Sequence, residues 1–152
     1  MREDQKERAL ALFGLTGRTV MYEEHGKPSD TAKRLVGLIE RQMHGEATML
    51  CVRLAYGGAL YTVPLDHITR YEVVPCHPED EPNPLPQAMH DAFNSLGKLV
   101  HITTLRGDFD GIWRFSGMER RFSKDHFRFS RGGESLSLSH TGLLSLCEKP
   151  AK

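Results

Sequence analysis

The sequence predicts a mainly β protein with short α-helices, built as two tandem units that each carry one helix followed by five short strands. Three observations predict it. A proline-rich acidic stretch, "VPCHPEDEPNPLPQ" at 74–87, divides the chain. On either side of it the same patterns recur in the same order: an amphipathic helix, a glycine stop, then short runs of alternating apolar residues. Each side also holds a Gly-Gly turn between two alternating runs, the mark of a β-hairpin. A chain of 152 residues is long enough for one ordinary domain or two very small ones.

The first unit is assigned to 1–74. In "ERALALF", Ala9, Leu12 and Phe13 share one helical face, and Gly17 supplies a left-handed stop. The next segment, "SDTAKRLVGLIERQMHG", carries two competing readings. Ser29 as N-cap, Ala32, Leu35, Ile39 and Met43 on one face, and Gly45 as stop describe a helix over 30–44. The order of the repeat instead favours a strand around Leu35–Arg41. "VRLAYGGALYTV" then reads as a hairpin, and Ile68 and Tyr71 mark a last strand. Five prolines and three consecutive acids make 75–86 an extended linker.

The second unit is assigned to 87–152. Met89, Ala92, Phe93 and Leu96 lie at helical spacing in "QAMHDAFNSLG", with Pro86 suited to the first turn and Gly97 to the stop. "FNSLGKLV" repeats "FGLTGRTV"; "DGIWRFS" follows "VGLIERQ" with Gly37 and Gly111 in register; "FRFSRGGESLSL" follows "VRLAYGGALYTV". Leu143 and Leu146 fall where Ile68 and Tyr71 fall.

Charge and composition narrow the function classes. Lys and Arg number 20, as do Asp and Glu, so the whole chain has no electrostatic bias toward nucleic acid or membrane. The halves differ: 1–86 holds ten bases against thirteen acids, and 87–152 ten against seven, with the bases crowded between Arg106 and Arg131. No apolar run approaches a membrane span, and "MREDQKER" lacks the apolar core of a signal peptide. Three cysteines without close spacing do not make a disulfide framework. These features predict a cytoplasmic protein with reduced thiols and no membrane partner.

Helix plus five bent strands is the pattern of the Sm-like form of the SH3-type barrel, and specific residues carry the likeness. "VHITTLRGDFDGIWRFSG" resembles the first Sm motif, with Gly107 and Gly111 in the places of its glycines, the second allowing the next strand to bend. "YTVPLDHITRYEVVP" resembles the second Sm motif as found in the Hfq branch of the family, with His67 near the motif histidine and Asp66 in place of its lysine. The run "PLDHITRYEVVPCHPE" also bears a weaker likeness to the Sm-like Rho regulators of the Rof type. The resemblance implies two tandem Sm-like five-stranded barrels, each preceded by an N-terminal helix. It further implies a regulatory protein that binds RNA or a nucleic-acid-associated protein, and either a homo-oligomer formed through barrel edges or an internal pseudo-dimer in which each barrel edge is satisfied by its neighbour.

The chemistry-bearing residues fit a binding protein. In "RFSGMERRFSKDHFRFSRGG", Arg114, Arg120, Arg121, Lys124, Arg128 and Arg131 are candidate phosphate contacts for single-stranded RNA, with Phe115 or Phe122 available to stack a base. His67 joins them through the resemblance. The competing reading has Phe127 and Phe129 alternating inward while Arg128 faces water. Arg120, Arg121 and Lys124 are expected in an exposed loop as the principal contact for an anionic partner. Eight histidines show no HExxH, HxH or paired CxxC spacing, and Cys76-His77 has no second ligand pair, so no metal or other cofactor is expected. Asp108 and Asp110 flank Phe109 as either acid–base carboxylates or turn acids. No nucleophile elbow, Walker loop or dinucleotide fingerprint occurs, so an enzyme is the least favoured class. The alternative is a protein–protein adaptor without nucleic-acid binding.

Overall fold

The computed structural model describes residues 3–42, 48–75, 77, 82–121 and 124–148. The chain is mainly β with two short helices, and it divides into two compact units, Met1–Pro84 and Leu85–Lys152. No helix among the described residues is long and apolar enough to cross a membrane.

In the first unit, α1 (Glu3–Phe13) precedes β1 (Thr19–Glu24), β2 (Lys27–Pro28), β3 (Lys33–Gln42), β4 (Thr48–Tyr56), β5 (Ala59–Pro64), a 3-10 turn (Leu65–His67) and β6 (Ile68–Val73). Helix α1 buries Ala9, Leu12 and Phe13, the apolar face its spacing predicts. It stops before Gly17, whose φ of +93° suits glycine. The Gly17 N–H donates to the Leu35 carbonyl at 2.8 Å, and the Leu35 N–H donates back to Arg18 at 2.8 Å, so the helix exit is stitched to β3. The Arg8 guanidinium also donates to the carbonyl of Ile68 and ties the helix to β6. Antiparallel pairing runs β5-β4-β3-β1-β6.

The segment with two readings is a strand. Its ladder to β4 extends from Arg34 opposite Ala55 to Gln42 opposite Thr48, with a bulge between Leu35 and Gly37. The bulge explains why the helix reading of 30–44 fails. One extra residue resets the alternation, so the inward-facing Leu35 and Leu38 stand three apart rather than two or four. A bulged strand thereby imitates helical spacing. Met43 and Gly45, which completed the helical pattern, lie outside the described residues.

In the second unit, α2 (Gln87–Ala92) runs into a 3-10 turn (Phe93–Ser95). Strands β7 (Leu99–Thr104), β8 (Gly111–Arg121), β9 (Lys124–Arg131), β10 (Glu134–Ser139) and β11 (Leu143–Glu148) follow. Pro86 is the N-cap of α2 rather than a residue of its first turn. Pairing runs β10-β9-β8-β7-β11, again antiparallel. The stitch at the helix exit recurs: Gly97 donates to Phe115 at 2.8 Å and Phe115 to Lys98 at 2.9 Å. In both units the second strand of the Gly-Gly hairpin (β5, β10) and the last, return strand (β6, β11) share no ladder among the described residues, so the strand circuit of each unit is open there.

The bulge recurs too, between Phe115 and Gly117. It corrects the register read from the sequence: the residue that corresponds to Gly37 is Gly117, and Gly111 instead opens β8 opposite Ile102. Gly117 restores a fixed 80-residue offset, Gly17 to Gly97, Leu35 to Phe115 and Gly37 to Gly117, where Gly111 broke it. Leu35, Leu38, Val52 and Leu54 in the first core then correspond to Phe115, Met118, Phe127 and Phe129 in the second, all buried.

Gly111 also does not fill the sheet interior. Its φ is +135°, and a side chain there would meet only Arg131 Nη1 at 3.9 Å. Gly111→Val is therefore expected to cost about 2 kcal/mol through backbone strain alone, since a β-branched residue resists positive φ. Thermal melting checks this; an unchanged midpoint would show that residues 105–111 readjust without penalty.

Candidate nucleic-acid interface

The basic segment is a long β-hairpin rather than an exposed loop. Period-two alternation along β8 and β9 sorts its residues onto two faces. Met118 opposite Phe127 and Arg120 opposite Asp125 lie on the core side; Gly117 opposite Arg128, Glu119 opposite His126 and Arg121 opposite Lys124 lie on the other. Phe127 and Phe129 are buried, as their alternation predicts.

That sorting divides the candidate cations. Arg120 grips Asp125 in a bidentate pair, Nε to Oδ1 at 2.7 Å and Nη2 to Oδ2 at 2.9 Å, with side-chain exposures of 11% and 7%. It is a structural residue, not a loop base awaiting phosphate. Arg131 lays its guanidinium 3.9 Å from the centre of the buried Trp113 ring and reaches Glu134 at 3.4 Å. Arg114 is half-buried, opposite Ser130, with interactions of its own. None of these three lines the pocket that gathers the other cations, although the Arg131 side chain stays 50% exposed. Phe122 lies outside the described residues.

Arg121, Lys124 and Arg128 remain, and His126 joins them. With Glu119 and Ser137 they line an open pocket of about 320 Å³. Arg128 Nη1 donates to Glu119 Oε1 at 3.0 Å; this carboxylate is buried and anchors one side of the guanidinium. Arg121 and Lys124 face each other directly across the hairpin, and neither is ion-paired among the described residues. Like charges opposite each other on one face destabilise a hairpin. An anion seated between them removes that cost. His126 and Ser137 were not singled out in the sequence. Counting by two from Lys124 finds His126; only the register of β10, which sets Ser137 opposite Arg128, finds the serine.

His67 belongs to the first unit and is engaged there. Its ring centroid lies 4.1 Å from that of His25, and its Nδ1 lies 3.7 Å from Glu24 Oε2. Asp110 Oδ1 accepts from the Thr104 N–H at 2.7 Å and the Thr104 hydroxyl at 3.0 Å, while Trp113 Nε1 donates to the Phe109 carbonyl at 2.9 Å. Asp110 thus closes the turn as a turn acid. Burial pushes the Cys51 thiol up and disfavours the nucleophilic thiolate, while the nearby positive charge of Arg41 opposes that shift in part. Cys76 lies outside the described residues. No protein-family model, no curated protein and no solved structure matches this chain.

Proposed function

We propose that the chain is a non-enzymatic tandem Sm-like protein, a duplicated helix-plus-barrel, that binds single-stranded RNA in a regulatory role. Support for the family reading comes from the strand order shared by the two units and the mid-strand bulge in each. One observation carries the binding reading: Arg121, Lys124, His126 and Arg128 converge on one open pocket in a chain of zero net charge. With no long-range field to steer a polyanion, affinity rests on close phosphate contacts at this face. The cations of the pocket are spaced along the two strands of the hairpin, an arrangement that suits a flexible single strand.

Arg121→Ala/Lys124→Ala removes two phosphate contacts and is expected to flatten the salt dependence of RNA binding by about 1.4 units for single strands. The melting temperature should hold or rise slightly, because the substitution also removes a like-charge cross-strand pair. Filter binding of an unstructured RNA oligonucleotide over a salt series tests this. Equal affinity for variant and parent, or no binding at low salt, would favour the adaptor. That second reading has its own support in the second unit, where Leu99, Leu105, Phe109 and Leu144 are exposed.

A further inference from the structure

The first unit gathers a second set of chemistry-bearing side chains, unrelated to the basic face. Strand β1 turns into β2 through His25-Gly26, with Glu24 paired to Lys27. Both turn residues have positive φ, 52° at His25 and 80° at Gly26, the geometry of a two-residue hairpin turn that favours Asn-Gly or Gly-Gly. A histidine is held in that left-handed position. The His25 N–H donates to the carbonyl of His67 at 2.8 Å, and the Gly26 N–H donates to Thr69 Oγ1 at 3.0 Å. Thr69 Oγ1 in turn donates to the Glu23 carbonyl at 3.4 Å. The turn is thus fastened by its backbone to the segment entering β6.

The consequence is that two imidazoles and a carboxylate from distant parts of the chain share one spot. One ligand atom each from Glu24, His25 and His67 lies within 4.8 Å of the others. A tetrahedral zinc ion holds its nitrogen and oxygen ligands about 2.1 Å away, hence about 3.4 Å from one another. The His67 Nδ1 to Glu24 Oε2 separation of 3.7 Å is already close to that, and no separation among the three exceeds 4.8 Å. His67 and Glu24 are 37% and 45% exposed, so both can rotate, and water has access to complete the coordination sphere.

We propose that Glu24, His25 and His67 form a binding site for one divalent transition-metal ion of the zinc class. Two neutral imidazoles and one carboxylate are a borderline donor set that favours zinc over calcium or magnesium, which take oxygen. The ion would cross-link the β1–β2 turn to the 3-10 turn before β6, pinning two segments that otherwise meet through backbone bonds. His67, expected in the sequence to touch RNA, acts here as a ligand.

The test is zinc titration of the full reduced chain against a chromophoric chelator, with cobalt as a spectroscopic probe. One zinc per chain is expected, together with a cobalt spectrum free of thiolate charge transfer. His25→Asn keeps a residue that accepts the left-handed turn, so it separates folding from ligation. This variant and His67→Ala should each weaken zinc binding at least about tenfold, with circular dichroism unchanged. Zinc should raise the melting temperature of the parent and leave that of the double variant where it was. Undiminished binding in the double variant would place the ion elsewhere and a cobalt–thiolate band would place it at a cysteine such as Cys147; either result overturns the site.

Discussion

Phe115→Ala should lower the stability of the second unit by about 4 kcal/mol, the loss typical of a buried phenylalanine truncated in a core that does not collapse around the gap. The ring is fully buried, with centroids 5.5 Å from Phe129 and 5.9 Å from Phe127. Removing it costs both of those aromatic contacts as well as the transfer of the ring out of water. The backbone of residue 115 still donates to Lys98 and accepts from Gly97, so the helix-to-strand stitch survives and the cavity itself accounts for the effect. In a unit of this size such a loss corresponds to about 20 °C in the midpoint. The single tryptophan, Trp113, is buried on the same strand, so its fluorescence follows this unit's unfolding. Phe115→Leu supplies the residue that Leu35 provides at the corresponding position of the first core, and it should recover roughly half of the loss. A midpoint shift below about 5 °C for the alanine variant would show that the three rings do not form a rigid core.

Arg120→Ala carries the next largest effect, about 3 kcal/mol, because it strands the nearly buried carboxylate of Asp125 without its bidentate partner. Arg120→Lys keeps the charge but loses the fork, and should fall between parent and alanine. Arg120→Met/Asp125→Leu removes both charges of the pair together, leaves no stranded Asp125 carboxylate, and should recover most of the loss. Urea unfolding followed at Trp113 distinguishes the three. If Arg120→Ala melted like the parent while weakening RNA binding, Arg120 would be a surface base after all. The expected outcome is the reverse, which is why Arg120 is absent from the salt-dependence experiment above.

How much of this was legible in the sequence varies residue by residue. The faces of both helices followed from spacing that reports local geometry directly, and Ala9, Leu12, Phe13, Met89, Ala92 and Phe93 are buried accordingly. The hairpins around Gly57-Gly58 and Gly132-Gly133 followed from turn chemistry, and all four glycines adopt positive φ. Leu35–Arg41 was ambiguous because a bulge is a property of two strands rather than one. Which residue is left unpaired depends on the partner's register, and a chain read by itself shows only the irregular spacing. The alignment of Gly37 with Gly111 failed on the same point, since matching glycine to glycine ignores where each ladder slips.

The candidate sites divide along the same line. Sequence alone determined that cations concentrate between Arg106 and Arg131, that Phe127 and Phe129 turn inward, and that histidines are plentiful without a metal-binding spacing. Tertiary structure decided which cations are available. Neighbours in sequence point to opposite faces of a strand, so Arg120 is consumed by Asp125 while Arg121 meets Lys124. It also decided that Glu24 and His25 meet His67, because the return strand of each unit pairs with the first one and closes a long loop that no local spacing records. Charge and periodicity belong to the chain; pairing belongs to the fold, and at both sites it is pairing that selects which side chains share a surface.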